Sequence, residues 1–130
     1  MSEQYGAVES VNTIDDLIGK TFAEVATAKD NEELHFILAN GDKYIFYHGQ
    51  DCCECVLIED VCGELSDLVG SPITMAEETI HENICNKDYE SATYTFYKFA
   101  TAKGYVTVRW CGTSNGFYSE RVDFMFRKRG

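Results

Sequence analysis

The sequence predicts one α+β domain, mostly antiparallel β-sheet built from hairpins, with two short helices on a face or edge. Three observations predict it. The chain of 130 residues is 45 % hydrophobic and holds eight Tyr, eight Phe and one Trp, enough for a core without disulfide staples and too apolar for a disordered chain. Strand-like apolar runs recur along it, separated by turns bearing Gly, Asn or Asp. Two short segments of helical spacing each end in a glycine.

Residues 1–11 lack periodicity and read as a loose N-terminal arm. Residues 12–19 read as a short helix, with Thr13 as cap, Asp16 in the manner of a capping box and Gly19 ending it. A strand over 21–28 follows. Residues 34–39 and 43–48 form a hairpin across Asn40-Gly41, a dipeptide that favours tight turns. Residues 55–61 are the next strand. Residues 63–70 repeat the helical pattern, and Pro72, the only proline, prevents its continuation. Residues 73–79 read as a strand and 80–90 as a polar loop. Residues 92–100 and 105–111 form a second hairpin. The turn Ser114-Asn115-Gly116 leads into a last strand over 117–126, and residues 127–130 read as a frayed basic tail. Asp16–Phe22 echoes Asp67–Ile73, and at an offset of 63 Gly49 falls on Gly112 and Asp60 on Asp123. A pseudo-duplicated helix–strand–hairpin unit would account for the echo, and so would chance at this low identity.

The formal net charge is −11. By segment it is −6 over 1–50, −10 over 51–90 and +5 over 91–130. A chain this acidic repels phosphates, which argues against direct nucleic-acid binding. No apolar run reaches membrane-span length, and no signal-peptide pattern opens the chain. The central acidic stretch has the character of a surface that attracts basic partners.

Six cysteines stand at 52, 53, 55, 62, 85 and 111. With no mark of secretion, they are expected as reduced thiols. Cys52 and Cys55 have C-x-x-C spacing, and His48 and Cys62 complete a candidate zinc set. The weight is against it, because only one ligand pair has the spacing. Cys85 and Cys111 read as buried small hydrophobes. A catalytic cysteine is disfavoured by Asp51 and Glu54 beside the cluster. Glu59 and Asp60, as strand neighbours, should point to opposite faces. His35 should lie opposite Leu34 and Phe36. No phosphate loop, dinucleotide fingerprint or Ser/His/Asp order is present, so no cofactor is expected. In the last third, Val106, Val108 and Trp110 share the core face of a strand, and Tyr105, Thr107 and Arg109 the other. Tyr105, Arg109, Tyr118 and Arg121 make a candidate aromatic–basic platform for a small nucleotide.

Residues 48–54 (HGQDCCE), 58–63 (IEDVCG), 67–70 (DLVG) and 76–78 (AEE), with 93–99, 104–110 and 114–120 (SNGFYSE), resemble a family of small uncharacterised bacteriophage and prophage proteins over roughly 15–124. The resemblance implies phage origin and action in the host bacterial cytoplasm. It assigns no functional residue. Cys55 and Cys62 fall outside the family pattern.

These readings lead to a non-enzymatic, phage-encoded inhibitor of a host defence or nucleic-acid-processing protein. Its acidic, DNA-mimic-like surface would enter a basic groove of the partner through Asp51, Glu54, Glu59, Asp60, Glu64 and Asp67. The alternatives are sequestration of a nucleotide signal by the platform, a metal-binding protein, and a virion or assembly component. The sequence leaves a homo-oligomer open.

Overall fold

The computed structural model describes residues 13–84, 91–116 and 118–129. Its strands are β1 (Glu24–Ala28), β2 (Glu33–Ile37), β3 (Lys43–Tyr47), β4 (Cys55–Cys62), β5 (Met75–Ile84), β6 (Ser91–Thr101), β7 (Gly104–Ser114) and β8 (Asp123–Arg127). They form two four-stranded antiparallel sheets, ordered β1-β2-β3-β8 and β4-β7-β6-β5. Each sheet is a three-strand meander completed by a strand from the other half of the chain. The first meander receives β8 and the second receives β4. Residues 48–54, and the described residues 115, 116 and 118–122, therefore belong to crossovers that carry the chain between sheets.

A 3-10 turn precedes each meander, at Ile14–Leu17 and Leu65–Leu68. These replace the two expected helices. Four residues cannot establish an i→i−4 ladder, and an apolar anchor every third residue suits the tighter turn. Leu17 and Leu68 are fully buried, and Thr13 makes no side-chain cap. The α+β description thus survives only loosely, since the ordered elements are otherwise antiparallel strands. Gly19 and Gly70 do terminate the turns at positive φ, +88° and +81°. The two echoing segments lie side by side. Gly19 N–H donates to Ile73 O at 2.7 Å and Gly70 N–H to Phe22 O at 3.0 Å, while bridges join Ile18 to Ile73 and Phe22 to Val69.

Other boundaries moved for tertiary reasons. Residues 80–84, read as loop, extend β5, because Ile80 and His81 find ladder partners in Thr95 and Tyr94 of β6. Residues 118–122, read as strand, belong to a crossover, and β8 begins only where Asp123 meets Tyr47. The β2–β3 turn spans 38–42 rather than two residues, with Gly41 at φ +97° and the Asn40 Oδ1 accepting from Asp42 N–H. The basic tail is tied down. Arg127 ends β8, and Arg129 donates its backbone N–H to Asp42 at 2.8 Å and its guanidinium to Asn40 O at 3.3 Å. The expected N-terminal arm, Cys85 and the rest of the polar loop to residue 90 lie outside the described residues.

The core sits between the sheets. Phe36 and Phe46 of the first sheet meet Phe99 of the second, with ring centroids at 5.0 and 5.7 Å, and Phe46 meets Tyr97 at 4.7 Å. All four rings are buried. On β7, Val106, Val108 and Trp110 are fully buried while Tyr105, Thr107 and Arg109 face out, as the pleat requires. His35 likewise lies opposite the buried Leu34 and Phe36, and bonds Glu33 at 2.7 Å.

Candidate functional site

The two crossovers meet at one end of the molecule. β8 lies beside β3 with Tyr47 opposite Asp123, so the residues just after β3 and just before β8 become neighbours. Gly49 N–H donates to the Asp123 carboxylate at 2.8 Å. His48 bridges the crossovers: Nδ1 lies 2.7 Å from Arg121 O, and Nε2 lies 2.7 Å from Glu54 Oε2.

Glu54 organises the first crossover. Its carboxylate accepts the backbone N–H groups of Asp51 at 2.8 Å and Cys52 at 2.9 Å, and Gln50 Nε2 donates to its backbone carbonyl at 2.6 Å. The His48 hydrogen bond, opposed by desolvation and aided by these backbone N–H groups, lowers its carboxyl from the ordinary 4.5 to about 2. The residue is only 4 % exposed. Glu54 was expected as a partner contact, and this corrects it. A carboxylate buried in its own loop is not placed to touch a docking protein.

The second crossover has a counterpart in Glu120, 7 % exposed. Its carboxylate accepts three hydroxyls, from Ser91 at 3.2 Å, Thr93 at 2.6 Å and Ser114 at 2.5 Å. Gly112 makes room for this loop. A Cβ there would stand 2.5 Å from Glu120 O. Two cavities flank the crossovers. One of about 300 Å³ is lined by Glu33, Tyr47, His48, Glu54 and Cys55 among others. The second, about 250 Å³, is lined by Glu82, Thr93, Tyr118, Glu120 and Arg121 among others. Neither the clasp nor the hydroxyl cage follows from spacing. Their members come from separate strands, and only the crossed topology joins them.

The other expected acidic contacts are placed differently. Asp51 lies in the first crossover, at the start of β4, and is exposed. Glu59 and Asp60 sit mid-strand, where the β4–β7 register slips between Ile58 and Asp60. This bulge leaves both side chains exposed, correcting the expectation of opposite faces. Glu59 pairs with Arg109 at 2.8 Å. Glu64 and the half-buried Asp67 follow β4, beside the second 3-10 turn. Of these five only Glu59 and Asp60 lie on β4, an edge strand of eight residues, while Asp51 precedes it, Glu64 follows it and Asp67 sits in the second 3-10 turn with its carboxylate against Gly104. At about 3.3 Å per residue that strand is roughly 26 Å long.

The aromatic–basic platform is not assembled as one surface. Tyr105 is at the hairpin end of β7, 65 % exposed, with Lys98 Nζ 5.0 Å from its ring centre. Tyr118 and Arg121 lie beyond the far end, where Ser114 contacts Tyr118 O, and Arg121 is held by Glu82 at 2.9 Å. An eleven-residue strand separates them, roughly 35 Å by its rise. Arg109, midway, is committed to Glu59.

The candidate zinc ligands are not gathered either. The Cys52 sulfur is turned onto that of its neighbour Cys53. Both His48 nitrogens already have partners. Cys55 and Cys62 are exposed at opposite ends of β4. Among the described residues, no group of three His, Cys, Asp or Glu is placed to hold a metal ion. Cys62 donates to Asp60 at 3.4 Å, which pushes its thiol up and away from the nucleophilic thiolate. Cys111 is half-buried on the outer face of β7 rather than in the core, and burial pushes its thiol up too. No helix among the described residues is long and apolar enough to cross a membrane.

Neither the curated proteins nor the solved structures contain a match to this chain. A family described as a domain of unknown function, DUF7448, matches residues 15–124. That span takes in both meanders, both crossovers and the start of β8, and the chain belongs to the DUF7448 family.

Proposed function

We propose that this protein is a phage-encoded, non-enzymatic inhibitor that acts in the host cytoplasm by docking an acidic edge onto a basic groove of a host protein. The observation that carries the reading is the exposure of Asp51, Asp60 and Glu64 on edge strand β4 and the segments beside it, with Glu59 exposed but paired to Arg109 and Asp67 half-buried. Such carboxylates would stand in for the phosphates that a basic groove ordinarily holds. The bulge at Glu59 also blunts the edge against strand addition, so that charge rather than backbone pairing governs contact. Such a surface raises the association rate of a basic partner and repels acidic ones.

The test is capture of host proteins on the immobilised full chain at low and high salt, beside a variant carrying Asp60→Lys, Glu64→Lys and Asp67→Lys. A basic nucleic-acid-binding protein should be retained at low salt, released at high salt and lost by the variant. Retention that ignores both salt and the three lysines would refute the reading.

A further inference from the structure

We infer that two copies of this chain associate through the outer face of the second sheet. The register defines that face. Val106, Val108 and Trp110 point into the core, so Thr107, Arg109 and Cys111 point out, each with a β6 residue opposite on the same side. Arg109 stands opposite Phe96, Cys111 opposite Tyr94 and Thr107 opposite Lys98. The central row runs on to Asp60 of β4 beside Arg109 and to Thr79 of β5 beside Phe96. Both 3-10 turns put their buried leucines into the core between the sheets, so neither lies over this face.

Charge favours a second copy over a polyanion. The chain carries −11, but this face sets Lys98 and Arg109 against Glu59, Asp60 and Glu77, a net of −1. A nucleic acid is repelled by the molecule as a whole, whereas two copies repel each other least where each is nearly neutral. The half-buried Phe96 and Tyr94 lie at the centre, on β6, and the three carboxylates lie on the flanking strands β4 and β5. An apolar centre with a charged rim is the anatomy of a protein interface.

The face also fits itself. A two-fold dimer must lay one patch on the same patch of its mate. The order β4-β7-β6-β5 offers an axis along the strands, between β7 and β6. Sheets pack face to face with their strands nearly aligned, so rotation about this axis lays each row on the same row reversed. Arg109 then faces Phe96 of the second copy, Leu57 faces His81 of the second copy, and Asp60 faces Thr79 of the second copy. No like charges are opposed. Glu59 holds Arg109 through Nε, which leaves the flat of the guanidinium for the aromatic ring.

Four strands about 4.8 Å apart and about 30 Å long offer roughly 570 Å² per copy, roughly 1,100 Å² for the pair. That reaches the lower bound of specific interfaces, so a weak dimer is expected, with a Kd of about 10–100 μM. At a few micromolar the chain is then a monomer. None of this rests on the acidic-edge reading, and salt separates the two. Screening releases a basic partner but lets two copies of like net charge approach.

The test is sedimentation equilibrium of the full chain, kept reduced, from about 2 to 500 μM at low and high salt. A reversible monomer–dimer equilibrium should appear and tighten as salt rises. Phe96→Lys should abolish it while leaving far-ultraviolet circular dichroism unchanged. Thr79 is exposed, so its variants keep the fold. Thr79→Lys, which sets an ammonium against Asp60 of the second copy at two symmetric places, should tighten the dimer about threefold, and Thr79→Glu should loosen it about as much. A chain monomeric at the highest concentration, a dimer that weakens as salt rises, or one indifferent to all three substitutions would each overturn the inference. So would a monomer that retains a single-stranded oligonucleotide and loses it on Phe96→Lys, since the face would then have another occupant.

Discussion

Thr93→Val isolates what the Glu120 cage contributes. The substitution keeps β-branched shape in the middle of the second sheet and removes only the hydroxyl that donates to Glu120 at 2.6 Å. Thr93 is 4 % exposed and Glu120 7 %, so water has little access to the carboxylate oxygen left behind. A hydrogen bond to a charged group, removed where its partner stays buried, costs about 1.5–3 kcal/mol. For a domain of this size each kcal/mol moves the melting temperature by about 3–5 °C, so the variant should melt about 5–15 °C lower. Ser91→Ala, whose bond is longer at 3.2 Å, should cost nearer 1 kcal/mol, about the ordinary value of one hydrogen bond. Urea unfolding of wild type, Thr93→Val, Glu120→Leu and the double variant closes a mutant cycle. In the Glu120→Leu background, which offers no acceptor, Thr93→Val should become neutral within about 0.5 kcal/mol, giving a coupling of about 1 kcal/mol or more. An equal cost of Thr93→Val in both backgrounds would refute the cage and assign the loss to packing.

Glu54 sets an acid limit on the crossover clasp. Its carboxyl is lowered to about 2 in the fold against an ordinary 4.5, so its contribution is fully present above about 4.5 and is lost as pH falls toward 2. Amide exchange at residues 48–54 should quicken over that window in wild type and show no such transition in Glu54→Gln. Phe46 and Phe96 lie on opposite sides of their sheets, the first fully buried among Phe36, Tyr97, Phe99 and Phe124, the second half-buried beside His81. Phe46→Ala should cost about 3–5 kcal/mol and Phe96→Ala about 1 kcal/mol by urea unfolding, and comparable costs would contradict the layer assignment. Burial pushes the Tyr97 phenol far up, and Glu78, which accepts its proton at 2.6 Å, adds to the shift. One tyrosine should therefore stay silent in an ultraviolet titration until alkali unfolds the chain, and Tyr97→Phe should remove that late step.

Local chemistry was legible. Gly19 and Gly70 end their turns as expected, because a left-handed residue is a property of one position. The two hairpins and the alternation along β7 were legible for the same reason, since a turn and a two-residue period are written in neighbouring residues. The helices were over-read, because the pattern shows which residues seek burial but not whether enough of them follow to complete a ladder. Residues 80–84 were under-read. A polar run becomes strand when a neighbouring strand supplies hydrogen-bond partners, and those partners are eight to fifteen residues away.

Of the expected acidic set, Asp51, Glu59, Asp60 and Glu64 are exposed, Asp67 is half-buried, and Glu54 is buried. Composition counts Glu54 as one charge like the others, and only its position against His48 and two backbone N–H groups turns it inward. Glu120 and Arg121 stood in the sequence as part of a familiar stretch, yet nothing local tied them to Ser91, Thr93 or His48. By itself the sequence determined the strand-rich class, the turns, the alternation and the segregation of charge, all of which depend on residues near one another in the chain. Only the tertiary structure decided that β4 and β8 exchange sheets. That exchange brings the two crossovers together, because contact between residues about seventy positions apart is set by which sheet edges are left open once the meanders have formed.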